Sequence, residues 1–375
     1  MNAAPDRIES QLIPYNHAGK WGFCNAEREI VIPCEYDQTL FFQDDLAIVR
    51  NGVAYADWHY GVINRLGEVV VPLEYSHINR FSEGLASARR FGKAALSFLD
   101  TSGNIRIHAA FQTAHSFSEG LAYVESLEHK KLTRRGFINT SGEYEIDRTS
   151  RFLESCTSDF QEGIAIMEFD MARGTFYSYL LRNGLPLRDS NGEYFFLNAA
   201  PFVNGIAGVW DESGAFRLIN SRGETVFDAG FAYDNCSGEI HDGLLRVRKG
   251  KNRGFIDATG REVIPCMIDF FSIENFYEGL AKVQYDEHGA FGYVDKKLNS
   301  VIPPQFETAQ DFSEGLACVQ RGGLYGFINT DGEEVIPLQY NYAGDFGSYE
   351  VGFAWVRKNG LTFFIDREGR EYGSV

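Results

Sequence analysis

The chain repeats itself about every 38 residues from one end to the other, and that period limits its fold more than any single motif does. The leading phrase is an aromatic residue, Gly, two apolar residues, Asn or Asp, and Gly three positions later. Some copies are imperfect: it reads WGFCN at 21–25 and FGYVD at 291–295, where Arg28 and Leu298 stand in the final Gly place, RGFIN at 135–139 and RGFID at 253–257, where Arg replaces the aromatic, and YGVIN at 60–64 and YGFIN at 325–329. LSFLD ending at Asp100, FRLIN ending at Asn220 and FFID ending at Asp366 are looser copies, and SYLLR ending at Arg182 is the weakest. A second phrase, F-x-E-G-L-A-x-V, keeps register with the first, from FQDDLAIV at Phe42 to FSEGLACV at Phe312. A third follows the turn and ends in an apolar residue and Pro: Ile32-Pro33, Val71-Pro72, Ile264-Pro265, Ile302-Pro303 and Ile336-Pro337.

Each phrase has a physical reading. Asn or Asp followed three residues later by Gly marks a tight hairpin, because the short polar side chain suits the first turn position and Gly tolerates the left-handed one. The apolar pair before it, as in Phe327-Ile328, puts one side chain on each face of the sheet and implies cover on both sides. Pro in the third phrase lacks an N–H to donate and belongs on an edge strand. In L-A-x-V the near-constant alanine reads as a close approach between neighbouring units. The linker between units spaces apolar residues by three, as in Tyr75, Ile78 and Phe81, a pattern of neither strand nor long helix. Leu12 to Tyr15 fills the slot of the third strand before GKWGF. The expectation is an all-β tandem array of about ten three-stranded antiparallel meanders. An open superhelical solenoid is the first choice of architecture. The alternative is a closed, propeller-like ring in which the N-terminal strand pairs with the C-terminal half-unit FFIDREGREYGSV.

GKWGF at 19–23, LYGFINTDGEEVIPLQY at 324–340 and FSEGLA at 312–317 resemble the WG-repeat, or KWG-repeat, family of bacterial proteins. The resemblance runs from about Leu12 to the C-terminus and implies a β-rich repeat of mostly unassigned biochemistry, hence a fold class more than a function. Residues 1–375 therefore read as one array, with regular units over about 12–140 and 235–375 and divergent units over about 141–234, where no VIP phrase survives.

Composition narrows the partner. Against 52 Asp and Glu stand 35 Lys and Arg, a net charge of −17, which argues against nucleic acid, whose binding rests on Lys and Arg neutralising phosphates. It favours a protein partner with a basic surface. No apolar window reaches membrane-span length, and the opening residues lack a signal-peptide pattern, so the expected location is the cytoplasm, away from membranes. Six scattered cysteines without CxxC pairs read as buried free thiols. The histidines lack metal-ligand spacing, and no Walker loop or GxSxG elbow occurs, so no catalytic residue, metal or cofactor is expected. Glu83, Glu119, Glu162, Glu278 and Glu314 recur in the EGLA phrase, and a residue present in most units reads as a turn carboxylate bonded to backbone N–H groups.

Departures from the repeat are the better places to seek function. Three stand out: SLEHKKLTRR at 126–135, with Lys130, Lys131, Arg134 and Arg135; EFDMARGTFYS at 168–178; and VAYADWHY at 53–60. Candidate binding residues are Trp58, His59, Arg134, Arg135, Phe176, Tyr177 and Trp210, the aromatics as interface anchors and the arginines as an anion contact or part of a long solvated hairpin. The leading expectation is a non-enzymatic scaffold presenting an extended acidic surface, for example an inhibitor or immunity-type protein. Alternatives are a glycan-binding module with aromatic platforms, and a hydrolase with Asp170, Asp211 and Asp228 in the divergent centre.

Overall fold

A computed structural model of the chain describes residues 11–52, 54, 57–128, 131–148, 153–268 and 271–374. The named elements are all β-strands, most of them in antiparallel sheets. The chain divides into two compact units, Met1–Glu145 with Leu324–Phe327 and Glu334–Val375, and Ile146–Gly323 with Ile328–Glu333.

The second unit contains the regular repeat in its plainest form. Strands Ser272–Tyr277, Leu280–Gln284, Phe291–Asp295 and Ser300–Phe306 make one four-stranded antiparallel sheet in that order. Three of these strands are the expected meander. The fourth corrects the expectation, because the linker itself supplies a strand. Its register slips between Ile273 and Phe276, so a bulge places both residues in the core at a spacing of three and hides the alternation that marks a strand.

The hairpin forms around Asp295 although Leu298, at φ 66°, stands in the left-handed place that other copies give to Gly. The backbone N–H groups of Lys297 and Asn299 each donate to Asp295 Oδ1 at 2.8 Å, and the Leu298 N–H donates to the Asp295 carbonyl at 2.8 Å. Gly292, whose role the sequence pattern alone does not reveal, is required by the bulged edge strand crossing above it. A Cβ there would stand 2.5 Å from the Ile302 carbonyl oxygen, and the same contact recurs at Gly254, 2.7 Å from the Ile264 oxygen.

Repeats are joined through core and turn alike. Ala281 is fully buried in a cluster that takes Phe255 and Ile264 from the preceding sheet and Ile273, Phe276 and Val294 from its own. The EGLA glutamate adopts a left-handed backbone, φ 52° at Glu278, and its carboxylate accepts the N–H of Gly315, in the next repeat's turn, at 2.9 Å. Asp242 does the same for Gly279 at 2.6 Å.

In the first unit Glu83 accepts the Gly120 N–H at 3.0 Å, which repeats that link. Strand Ile13–His17 lies antiparallel to Lys20–Cys24, in the third-strand slot, and parallel to Glu371–Ser374, with Asn16 opposite Gly373. A seven-stranded sheet results, and residues from both ends of the chain, Ile13, Cys24, Phe353, Phe364 and Tyr372, share one core. Strands from Gln38–Thr39 to Tyr144–Asp147 form a ten-stranded sheet.

All six cysteines are free, with Cys24, Cys156, Cys236 and Cys318 buried and Cys34 and Cys266 half-buried. Burial pushes the thiols of Cys24, Cys156 and Cys236 up to about 12, which keeps them protonated and unreactive. Among the described residues no helix is long and apolar enough to cross a membrane.

Candidate functional site

The strongest departure from the repeat lies in the second unit, in the three-stranded sheet of Leu153–Cys156, Ile164–Met171 and Gly174–Leu181. Ile164 pairs with Leu181, as Leu280 pairs with Asp295 in the regular sheet, and the Gly184 N–H donates to the Leu181 carbonyl at 2.9 Å. Leu181 therefore stands where other repeats have Asn or Asp, one residue before the Arg182 read from the sequence. By the same register Ser178 occupies the site of the close-approach glycine.

What crosses above that site also changes. In the regular repeat Phe255 pairs with Ile264 and Arg253 with Ile268, so only residues 265–267 bulge over Gly254. In the divergent repeat the Leu187 N–H donates to the Tyr179 carbonyl and Phe196 bridges to Tyr177, leaving 188–195 as a loop above Ser178. Beneath the loop is a cavity of about 330 Å³. Met167, Phe169 and Leu180 line it from the sheet, and Tyr194 and Phe195 from the loop. Arg148 and Arg188 also border it. Ser178 lines the cavity too, and its hydroxyl, in a residue 2% exposed, has no hydrogen-bond partner among the described residues.

A second substitution at the glycine site holds this loop in place. Arg217 is the equivalent of Gly254 in the next repeat, FRLIN, and is 5% exposed. Its Nη2 donates to Asp189 Oδ2 at 2.9 Å and to Glu193 Oε2 at 2.8 Å, and its Nη1 to Asp211 Oδ2 at 3.1 Å. Asp189 and Glu193 flank the loop's tight turn, where the N–H groups of Asn191 and Glu193 donate to Asp189 Oδ1. One buried guanidinium thus ties both ends of the turn, and the Thr225 N–H donates to Ser190 Oγ at 2.9 Å. Burial would raise the Asp211 carboxyl, but hydrogen bonds from the Ser213 hydroxyl and from the Ala215 and Ser213 N–H groups, with the Arg217 charge, hold it below its ordinary value.

The residues singled out from sequence fall in different places. Phe176 is buried at 3% exposure with the Arg173 guanidinium 4.7 Å from its ring, so it serves the core and not the surface, because the 168–178 insertion lengthens a hairpin that folds over it. Trp210 is half-buried and packs on Phe216 at 4.9 Å, again as core. Tyr177 is half-buried, and burial and the Glu168 charge raise its phenol. In the first unit Trp58 is half-buried under Arg50, 4.0 Å from its ring, and His59 stacks on the exposed Phe91 at 4.6 Å. Arg134 lies over Tyr144 at 3.8 Å, and Arg135 is buried at 8% exposure on the strand facing Glu125, which removes it from any surface anion contact. Lys130 and residues 53, 55 and 56 lie outside the described residues. In the divergent centre Asp170 accepts from Thr175 Oγ1, Asp211 is held low, and Asp228 accepts the Gly230 N–H, so each carboxylate is engaged by its own hairpin. Among the described residues no group of three His, Cys, Asp or Glu side chains could hold a metal ion.

A family model described as WG containing repeat matches residues 21–52, 60–93, 97–126, 254–287, 291–325 and 325–361, over half of the chain. The chain belongs to the WG-containing repeat family. The matched WG segments leave out 127–253, the stretch that holds Ser178, the 188–195 loop and Arg217. No curated protein matches the sequence. Among solved structures, one titled as the eukaryotic initiation factor is 13% identical at a TM-score of 0.48, covering 96% of this chain and 94% of its own. BamB from Moraxella catarrhalis is 10% identical at 0.35, covering 69% and 86%. AztD from Citrobacter koseri is 12% identical at 0.31, covering 77% and 92%.

Proposed function

We propose that this WG-repeat protein is a non-enzymatic scaffold, acting in the cytoplasm, that presents acidic repeat turns to a protein with a basic surface. The observation that carries the reading is the position of the turn carboxylates. Glu83 and Glu119 in the first unit, and Glu162, Asp242 and Glu278 in the second, are exposed at the turns that link one repeat to the next. The fold thereby generates acidic edges at a fixed spacing, suited to steering and holding a cationic partner. An inhibitor that masks a basic effector is one form such a protein takes. Affinity capture from the cells that make the protein, across a salt series, tests this. A reproducible basic partner whose retention falls steeply with salt supports the reading, and no partner, or one whose retention ignores salt, contradicts it.

The glycan reading keeps one supporting feature in the first unit. Tyr342, 45% exposed, stacks on Trp355 at 4.8 Å. Pairing of Asn16 and His17 with Gly373 and Ser374 favours the closed alternative over the open solenoid.

A further inference from the structure

We infer that the cavity under the 188–195 loop is a binding site for a small organic anion with a flat apolar body. Its volume, about 330 Å³, lies at the lower end of the range of small-ligand sites, which are mostly apolar with a few placed polar groups. The wall has that character. Phe169, Phe195 and Tyr194 form a series, with Phe169 and Phe195 ring centroids 5.0 Å apart and Phe195 and Tyr194 4.4 Å apart, and Met167 and Leu180 complete the apolar side. These groups suit an aromatic ring.

Two features set the polarity of the ligand. No carboxylate side chain lines the cavity, in a chain with 52 Asp and Glu, whereas two arginines do. Arg188 carries no ion pair among the described residues. It donates to the Gly192 carbonyl at 2.9 Å and lies 4.5 Å from the Tyr194 ring, so its guanidinium retains donors for a carboxylate. Ser178 is the second feature. A buried hydroxyl without a partner costs stability in the empty protein, and a ligand oxygen would supply the missing acceptor or donor. Ser178 and the loop are both departures from the WG repeat, and Arg217 holds the loop from the opposite side, so the cavity is fixed before a ligand arrives.

Calorimetric titration of the full chain with 2-naphthoate, its neutral amide 2-naphthamide and inorganic phosphate tests the site without any protein partner, so its failure leaves the scaffold reading standing. The naphthoate should bind saturably at one site, about tenfold more tightly than the amide, and phosphate should not compete. Ser178→Ala should weaken naphthoate binding several-fold without lowering the melting temperature, since the hydroxyl bonds nothing in the empty protein. Arg188→Gln, at an exposed position, should abolish the preference for acid over amide. Equal affinity for acid and amide, competition by phosphate, no binding at millimolar probe, or binding indifferent to both substitutions would each overturn the assignment.

Discussion

Two repeats of the second unit, the regular sheet of 272–306 and the divergent segment of 153–196, share the pairing of their central hairpin and differ most in what crosses the site three residues before its turn. Where the regular repeat has Gly292, the bulged edge strand passes so close that a Cβ would stand 2.5 Å from a carbonyl oxygen. Where the divergent repeat has Ser178, the edge opens into the 188–195 loop and a cavity takes the strand's place. The glycine site accepts other residues where the edge strand still pairs, as at Ser97 and Arg217, so the opening at Ser178 is a feature of the 188–195 segment together with that site.

The largest effect expected from disturbing this contrast is at Arg217. Arg217→Met leaves the Asp189 carboxylate buried without its counter-charge and should cost about 3–5 kcal/mol, read as a fall in denaturant midpoint. An unchanged midpoint would mean that the loop does not depend on the guanidinium. On the regular side, Ala281→Leu forces extra volume between two sheets and should cost about 1–3 kcal/mol. A variant melting at the wild-type temperature would remove alanine's role as a close-approach point.

A smaller effect, common to regular and divergent regions, appears with pH. Asp295 is held below its ordinary value by Asn299 and neighbouring N–H groups, and Asp211 is held low by its hydrogen bonds and Arg217 against burial. A depressed native value means that the ionised carboxylate adds stability that is fully present above the ordinary carboxyl value and is lost as pH falls from there through the native value. Acid titration of stability should thus show a decline below about pH 4. Asp211→Asn should flatten part of it, and a decline with the same slope in that variant would exclude Asp211 from the effect.

Much of this architecture is legible in the sequence because it is local. Asn or Asp, in most copies with Gly three residues on, specifies the hairpin, the Pro residues fall on edge strands except Pro72, whose strand Val69–Ile78 pairs on both sides, and the recurring EGLA glutamate behaves as the turn carboxylate its repetition implies. Its longer reach, from Glu278 to Gly315 in the next repeat, also gives a structural origin to part of the −17 charge. The linker strand was hidden by its bulge between Ile273 and Phe276, which breaks the alternation a strand normally displays. The cavity was hidden for a different reason. The sequence marks 141–234 as divergent, yet the loss of Asn at Leu181 shifts the apparent register by one residue and conceals Ser178 as a glycine replacement. The arginine that secures the loop is 28 residues beyond Asp189, a pairing that exists only once both repeats have folded. Phe176 and Arg135 looked like contact residues because they sit in insertions, but both are buried, at 3% and 8% exposure.

The central claim, that the edge backbone crosses close above Gly292 and opens into a loop above Ser178, is tested most directly by melting Gly292→Ala and Ser178→Ala side by side. Gly292→Ala should lose about 1–3 kcal/mol as the edge strand is pushed away. Ser178→Ala, which removes a buried hydroxyl without a partner, should leave stability unchanged or raise it. Equal losses in both would contradict the account, because they would show that the backbone crosses the two sites alike.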